Sequence, residues 1–545
     1  MNTIETKMNT IAASVRHGFE SIQDQIQSLR GALTSDYNVA LDTDSYKPSH
    51  FLQYPPNTEY VFSYVEARGS SDKPSSKIMK SLENYLTPEM LKLFKAENTT
   101  QPFNFTLMFG LQYINKMYLS KRVTKEMVDY AAKEWKAHGE PFNYDGWMYI
   151  VNELEGKLPV RIRAAKEGAI IPLKNALITV ENTDPKCFWL TSYIEPAILR
   201  VWYGITVGTL SWTIKQIIAA YLRKSSDTMD GLLFKLHDFG SRGVSSYESA
   251  GIGGAAHLVN FMGSDTMRAI QVLKEIYNVG EDEMPAYSIP AGEHSSFTSW
   301  RKEFEKEAYR NMIVQFGKPG ALFAAVSDSY DIFNAVDNIW GKELKDELIA
   351  SGATAVIRPD SGEPKDIVLK VVQLLDKNFG STINSKGYKV LHPSVRVIQG
   401  DGINLDSVSE IYDTLLAAGY SADNVALGMG GGLLQMVNRD TLQFAMKCSA
   451  AKVAGEWVDV YKDPITDSGK RSKRGRVGLF QNTVTSEYAT IRLDEVTELN
   501  GEFEHKGEIY IDAMDTVFEN GEVLVDEKLD VIRARSNDHY FIVSR

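Results

Sequence analysis

Ala355-Val-Ile-Arg358-Pro-Asp360-Ser-Gly362, followed by the apolar period from Ile367 to Phe379, sets out one complete unit of the fold. A short apolar run ends in a charged loop holding proline and glycine, and a helix follows. The same plan recurs on both sides. Val395-Arg-Val-Ile leads to Gln399-Gly400-Asp401-Gly402 and a helix from Leu405 to Ala418, and Val425-Ala-Leu leads to Gly428-Met-Gly430-Gly431-Gly432. Upstream, Leu232-Leu-Phe-Lys-Leu leads to His237-Asp-Phe239-Gly-Ser-Arg242, and Ala321-Leu-Phe-Ala-Ala-Val leads to Ser327-Asp328-Ser-Tyr-Asp331. Tyr287-Ser-Ile-Pro-Ala-Gly leads to Glu293 and His294, with a helix predicted from Ser295 to Glu307. Six alternating units predict an α/β fold with a parallel sheet. Closed into an irregular (β/α) barrel, the sheet gathers all six loops on one rim, where such folds hold their chemistry. A doubly wound open sheet would spread them along a line.

This rhythm occupies residues 191–440 and predicts a catalytic domain there. Residues 37–190 mix short strands with helices: Tyr60-Val-Phe-Ser-Tyr-Val alternates, and Pro159 to Val180 holds two more apolar runs. Strand-like segments return in 441–545, including Glu508-Ile-Tyr-Ile-Asp and Tyr540-Phe-Ile-Val. The two flanking parts are expected to form one discontinuous α+β domain. Residues 1–36 carry Ile4, Met8, Ile11, Val15, Phe19, Ile22, Ile26, Leu29 and Leu33 at helical spacing, a narrow stripe fit for self-association or for docking on the domain. Ser70 to Thr100 reads as a lysine-rich surface insertion.

A chain of 545 residues can bury a large core in two or three domains. The net charge of −12 argues against a general nucleic-acid binder. Cys187 and Cys448 are the two cysteines, which argues against disulfide scaffolding and zinc–thiolate sites and fits a reducing, cytoplasmic setting. No run is apolar enough to span a bilayer, Leu190 to Trp212 being interrupted by Glu195 and Arg200, and no signal-peptide core is present.

The loops hold the chemistry. His294 sits where a strand hands over to a helix, with Glu293 beside it to orient the ring or face solvent. Asp360 and Asp401 suit a ribose diol or hydrated Mg²⁺, or would cap the helices that follow. Arg242 and Arg358 suit phosphate, or pairing with nearby carboxylates. Phe239 suits stacking on a flat ring, or core packing. Asp265 reads by default as a helix cap, and His237 and His257 as structural. Gly428 to Gly432 allows a phosphate to approach backbone N–H groups, or is merely a turn. Gly251-Ile-Gly-Gly lacks the preceding strand of a dinucleotide fingerprint. Together these residues describe a pocket for a phosphorylated sugar and a planar ring.

Those motifs, with Leu41-Asp-Thr-Asp44-Ser-Tyr46-Lys47, Gln53-Tyr-Pro-Pro-Asn57, Glu181-Asn-Thr-Asp-Pro185, His257-Leu-Val-Asn, Gly430-Gly-Gly-Leu-Leu-Gln435, Lys462-Asp-Pro and Lys470-Arg-Ser-Lys, resemble the nicotinamide phosphoribosyltransferase family from about residue 40 to about residue 525. The resemblance implies a type II phosphoribosyltransferase of NAD salvage. It would join nicotinamide to 5-phosphoribosyl pyrophosphate with Mg²⁺, and ATP hydrolysis would phosphorylate His294. It implies that Phe239 and Tyr46 sandwich the pyridine ring, Tyr46 reaching over from the partner of a homodimer. Asp360 and Asp401 would serve the ribose, and Arg242 and Arg358 the ring pocket and phosphates. Asp328 and Asp360 would reach Mg²⁺ through water. Gly430 and Gly431 would hold the 5-phosphate, and Arg439 and Lys447 would cross the dimer interface; Asp44, Gly400 and Lys462 join the substrate-contacting set. Asp265 would accept the amide NH₂ of nicotinamide and repel nicotinate, a preference on the order of 10³-fold. Nicotinate phosphoribosyltransferase and a non-catalytic binding protein on the same fold are the competing readings. Ala324 stands where vertebrate members carry a serine.

Overall fold

The structure is a computed structural model and describes residues 37–69, 104–462 and 472–542. The stripe of residues 1–36, the insertion from Ser70 to Thr100, and Lys470 with Arg471 lie outside the described residues.

Six short strands form a parallel sheet in the order Gly263–Ser264, Leu236–Asp238, Val425–Met429, Val395–Gln399, Thr354–Arg358, Leu322–Val326. Their sequences are apolar on both faces, as in Phe323-Ala-Ala-Val326, all buried, because parallel strands are covered on both sides. Isolated parallel bridges join Ala291 to Ala324 and Tyr287 to Gly263, so the segment between them links the two edge strands. Between strands run helices such as Pro364–Phe379. Proline opens that helix, Val368, Val371, Val372, Leu375 and Phe379 form its buried face, and Gly380 ends it at a φ of 83°.

Four sequence expectations are corrected. Leu232–Phe234 is a 3₁₀ turn, and the strand begins at Leu236. The strand expected before His294 forms only the two bridges, since Pro290 has no N–H to give a ladder, and Gly263–Ser264 supplies the sixth strand. The helix expected from Ser295 to Glu307 is split into His294–Thr298 and Glu305–Phe316, Arg301 between them having a φ of 66°. Tyr540-Phe-Ile belongs to the helix Leu529–Ile542 and not to a strand. Leu529, Ile532 and Ser536 are buried at helical spacing, and Trp212 Nε1 donates to the Ser536 carbonyl at 3.1 Å.

A seven-stranded sheet draws on both ends of the chain, in the order Glu456–Asp459, Phe444–Val453, Thr58–Ala67, Ala176–Asn182, Val160–Ala165, Met514–Glu519, Glu522–Val523. A five-stranded antiparallel sheet made of residues 477–512 lies beyond it. The helix Val201–Ser225, buried around nearly its whole circumference, packs against Tyr247–His257 and Leu405–Ala417 of the sheet's helical layer and against the strand Phe105–Leu107. Gly251-Ile-Gly-Gly lies within Tyr247–His257, where a Cβ on Gly254 would come 2.6 Å from Ala269 Cβ. Those glycines permit close helix packing. Among the described residues no helix is long and apolar enough to cross a membrane.

Candidate active site

His294 is the first residue of its short helix and half exposed. Its Nε2 lies 2.8 Å from Oδ1 of Asp328, which follows the strand Leu322–Val326, and its Nδ1 lies 4.0 Å from Oδ2 of Asp360. Ser361 Oγ donates to the other Asp328 oxygen at 2.6 Å, fixing that carboxylate. Arg358 Nη2 reaches Asp360 Oδ2 at 3.5 Å, while its buried Nε has no protein partner. A buried donor left unpaired costs about 1–3 kcal/mol, so this N–H is suited to a ligand acceptor. Glu293 does not orient His294. It is the N-cap of the helix in a capping box with Ser296, and its carboxylate accepts from Ser295 Oγ. Asp328 orients the ring. Neither Asp360 nor Asp401 is a cap, those places being taken by Glu363 and Asn404.

Beside this cluster a cavity of about 430 Å³ runs along one face of the parallel sheet, lined by Phe239, His237, Asp265, Ser288, Ala324 and Arg358 among others. Phe239 is half-buried and held by two glycines. A Cβ on Gly428 would lie 2.0 Å from its Cε2, and one on Gly400 would lie 3.2 Å from that atom and 3.4 Å from Asp360 Oδ1. The ring and the His294 cluster are therefore adjacent. Asp238, fully buried, accepts from Gly240 N–H at 2.7 Å and from Ser264 Oγ at 3.2 Å, tying the Phe239 turn to the Asp265 loop. Asp265 is not a side-chain cap; Thr266 occupies the N-cap of the following helix. Its Oδ1 is 2.8 Å from His237 Nε2 and accepts from Ser288 Oγ at 2.6 Å. Burial pushes its carboxyl up, but His237, Ser288 and the Arg358 charge together outweigh that and hold it below the usual carboxylate value. His237, expected to be structural, is thus part of the pocket. His257 is structural: it is buried between Ser211 and Phe261, and burial drives its pKa down to about 3.

Gly430 and Gly431 open the turn Gly431–Leu434, whose first N–H groups have no helical acceptor. Nothing stands within 4 Å of where a Gly431 Cβ would be. Arg242 is exposed on the adjoining turn Ser241–Gly243, and a Cβ on Gly243 would come 3.4 Å from Gly431 Cα. Asp401 is exposed after Gly400.

Among the described residues no hydrogen bond, ion pair or ring contact joins Asp44, Tyr46, Arg439, Lys447 or Lys462 to this pocket. Tyr46 is 57% exposed, and Arg439 pairs with Asp440. Lys447 lies in a second, basic cluster on the seven-stranded sheet. Burial pushes its ammonium down, Glu195 pushes it up, and Arg68, Lys462 and Lys47 push it further down. Arg68, just after the strand Thr58–Ala67, and Lys47, in a turn and paired with Glu195 at 2.6 Å, are not site residues in the sequence reading, since a lone cation carries no signature. Among the described residues no three acidic, histidine or cysteine groups converge to grip a metal directly. Two carboxylates, Asp328 and Asp360, fit Mg²⁺, which keeps several waters and takes its remaining ligands from substrate phosphates.

A model described as the "Nicotinate phosphoribosyltransferase (NAPRTase) family" matches residues 234–522, and one described as "Nicotinamide phosphoribosyltransferase, N-terminal domain" matches residues 38–162. A protein of Xanthomonas campestris named nicotinamide phosphoribosyltransferase is 50% identical over 501 residues, covering 92% of this chain and 98% of that one. A protein of the same name from Acinetobacter baylyi is 30% identical over 512 residues, covering 90% and 95%. Among solved structures, a nicotinate-nucleotide pyrophosphorylase from Pyrococcus furiosus superposes with a TM-score of 0.56 at 13% identity, covering 94% of this chain and 98% of that one. Human nicotinic acid phosphoribosyltransferase gives 0.52 at 15%, covering 92% and 93%. At those identities the likeness is one of fold. The long relatives and the two models carry more: the chain belongs to the nicotinamide phosphoribosyltransferase family.

Proposed function

We infer that the chain is an enzyme of NAD salvage that transfers the 5-phosphoribosyl group of 5-phosphoribosyl pyrophosphate to nicotinamide, releasing pyrophosphate and forming nicotinamide mononucleotide. One observation carries the choice of base. Asp265 faces the cavity beside Phe239 as an ionised acceptor, which suits an amide NH₂ and repels a carboxylate.

The ring nitrogen of nicotinamide attacks C1 of the ribose as the bond to pyrophosphate breaks. Positive charge builds on the sugar and negative charge on the leaving group, so the protein's work is to position and to neutralise. Phe239 stacks on the ring, and Asp265 turns its amide. Asp360 and Asp401 hold the ribose hydroxyls, Gly430 and Gly431 the 5-phosphate, and Arg358 and Arg242 the anionic oxygens. Asp328 and Asp360 would hold Mg²⁺ through water, where it neutralises pyrophosphate charge.

His294 is the group that takes a phosphoryl when ATP is hydrolysed. With Nε2–H donating to Asp328, the lone pair is on Nδ1, which would attack the γ-phosphorus of ATP as its bond to ADP breaks and ADP leaves. The reading favours an irregular barrel, supported by the bridges through Tyr287 and Ala291. It also favours a cytoplasmic homodimer in which Tyr46, Arg439, Lys447 and Lys462 of one subunit complete the site of the other. Exposed Tyr46 and the separate basic cluster support that arrangement.

The test is product formation from 5-phosphoribosyl pyrophosphate and Mg²⁺ with nicotinamide or nicotinic acid, each with and without ATP. Turnover of nicotinamide alone, raised by ATP, is expected. Turnover of nicotinic acid would overturn the choice of base, and silence with both would overturn the activity.

A further inference from the structure

Two hydrogen bonds converge on a single oxygen of Asp265. His237 Nε2 and Ser288 Oγ both approach Oδ1, at 2.8 and 2.6 Å, while among the described residues Oδ2 accepts none. We propose that His237 is a positioning residue for base selectivity: with Ser288 it occupies Oδ1 of Asp265, so that the carboxylate offers Oδ2 alone to the bound base. The proposal rests on the reading that Asp265 receives the amide of nicotinamide.

His237 is built to hold one orientation. Its side chain is only 13% exposed, whereas that of Asp265 is 46% exposed. One side of the ring abuts Gly263, where a Cβ would lie 2.6 Å from Nδ1. Another meets Phe239, ring centres 5.1 Å apart. The backbone on which it rides is fixed as well, for His237 and Gly263 are paired in neighbouring parallel strands. The aspartate has no such confinement. An exposed carboxylate turns freely about its last bond and exchanges its partners with water. Two donors on one oxygen remove that freedom and leave the other oxygen's lone pairs to a ligand N–H.

They also favour the ionised form. A protonated Asp265 could donate a hydrogen bond to the carboxylate of nicotinate, and discrimination would fade. Selectivity of this kind depends on how completely the acceptor stays unpaired with the wrong ligand, so a wandering carboxylate discriminates poorly. Asp238 is adjacent in sequence but takes no part, its oxygens being engaged by Gly240 and Ser264.

The experiment compares His237→Leu, which keeps bulk and removes the donor, with His237→Gln, whose amide N–H extends about as far as Nε2. For each full-length variant, kcat and KM are measured for nicotinamide and for nicotinate at saturating 5-phosphoribosyl pyrophosphate. The loss of one such bond changes affinity by about threefold to tenfold. His237→Leu should therefore raise KM for nicotinamide by about that factor, leave kcat within about twofold, and lower the nicotinamide-to-nicotinate ratio of kcat/KM by about tenfold. His237→Gln should recover most of the ratio. An unchanged ratio in His237→Leu, or equal loss in both variants, overturns the proposal in favour of mere packing. Should His237→Leu fail to fold, Ser288→Ala removes the other donor and should lower the ratio in the same direction; an unchanged ratio there overturns the proposal too. A wild-type enzyme that prefers nicotinate would show instead that the underlying choice of base is wrong.

Discussion

Gly428→Ala offers a stringent check on the ring slot. A methyl at that position would lie 2.0 Å from Cε2 of Phe239, 2.3 Å from Cδ2 and 2.8 Å from Cζ. Carbon atoms pack best at about 3.5–4.0 Å, so the ring must retreat by about 1.5 Å. The open direction is the cavity, into the space assigned to the pyridine ring. Overpacking of this kind costs about 1–3 kcal/mol of stability. Lost stacking is worth about 0.5–1.5 kcal/mol, which is about two- to twelvefold in affinity, and the blocked space adds to it. Initial-rate kinetics should show KM for nicotinamide raised about tenfold or more, with KM for 5-phosphoribosyl pyrophosphate within about twofold of wild type. Adding Phe239→Leu should relieve the clash and recover the melting temperature without recovering KM. A Gly428→Ala enzyme with unchanged KM for nicotinamide, or with both KM values raised alike, would refute the slot as described.

Three further outcomes are expected. Burial raises the Glu167 carboxyl to about 7 from an ordinary 4.5, so the folded chain holds that proton more tightly than the unfolded chain. Stability from this group is then full below pH 4.5 and declines as pH rises to 7, by on the order of 3 kcal/mol. Glu167→Gln keeps an acceptor for the Gln112 N–H but cannot ionise, so its melting temperature should gain on wild type between pH 5 and pH 8; a difference that stays constant with pH contradicts this. His294→Ala should abolish the stimulation by ATP while retaining ATP-independent synthesis, and complete loss of that synthesis would show the phosphohistidine to be indispensable. Asp265→Asn should remove the repulsion of nicotinate and reduce the preference for nicotinamide by about 10²-fold or more in competition assays, an unchanged preference placing selectivity elsewhere.

Period and punctuation in the sequence made the parallel sheet legible, because Ala355-Val-Ile or Val395-Arg-Val-Ile can be little else when a glycine loop and an amphipathic helix follow. The apolar run before His294 misled for a local reason: apolar content suggests a strand, but Pro290 permits only bridges. The loop residues were legible as types and not as partners. Glu293 adjoins His294 in sequence, yet the ring is oriented by Asp328, which is 34 residues away, and Asp328 is fixed in turn by Ser361, which is 33 residues further on. Asp265 and His237 are separated by 28 residues. Such pairs arise because neighbouring strand ends deliver their loops to one rim, and the register between strands cannot be read from one strand alone.

Charge gives a physical reason for the two-subunit reading. The rim assembled by one chain carries Asp265, Asp328, Asp360 and Asp401, set against Arg358 and Arg242. A substrate bearing a phosphate and a pyrophosphate would meet there more acid than base. The cations that could redress the balance, Arg68, Lys447 and Lys462, are gathered by the seven-stranded sheet, while Lys47 beside them is already paired with Glu195 at 2.6 Å. Burial is the main cause that holds the Lys447 ammonium below its ordinary value, and the neighbouring cations add to it, a cost that a bound polyanion would relieve. An acidic rim that needs cations and a cationic patch that needs an anion are complementary surfaces of one molecule. On the proposed reading they meet when two copies associate around the substrate, so that binding the phosphates and completing the site become one event.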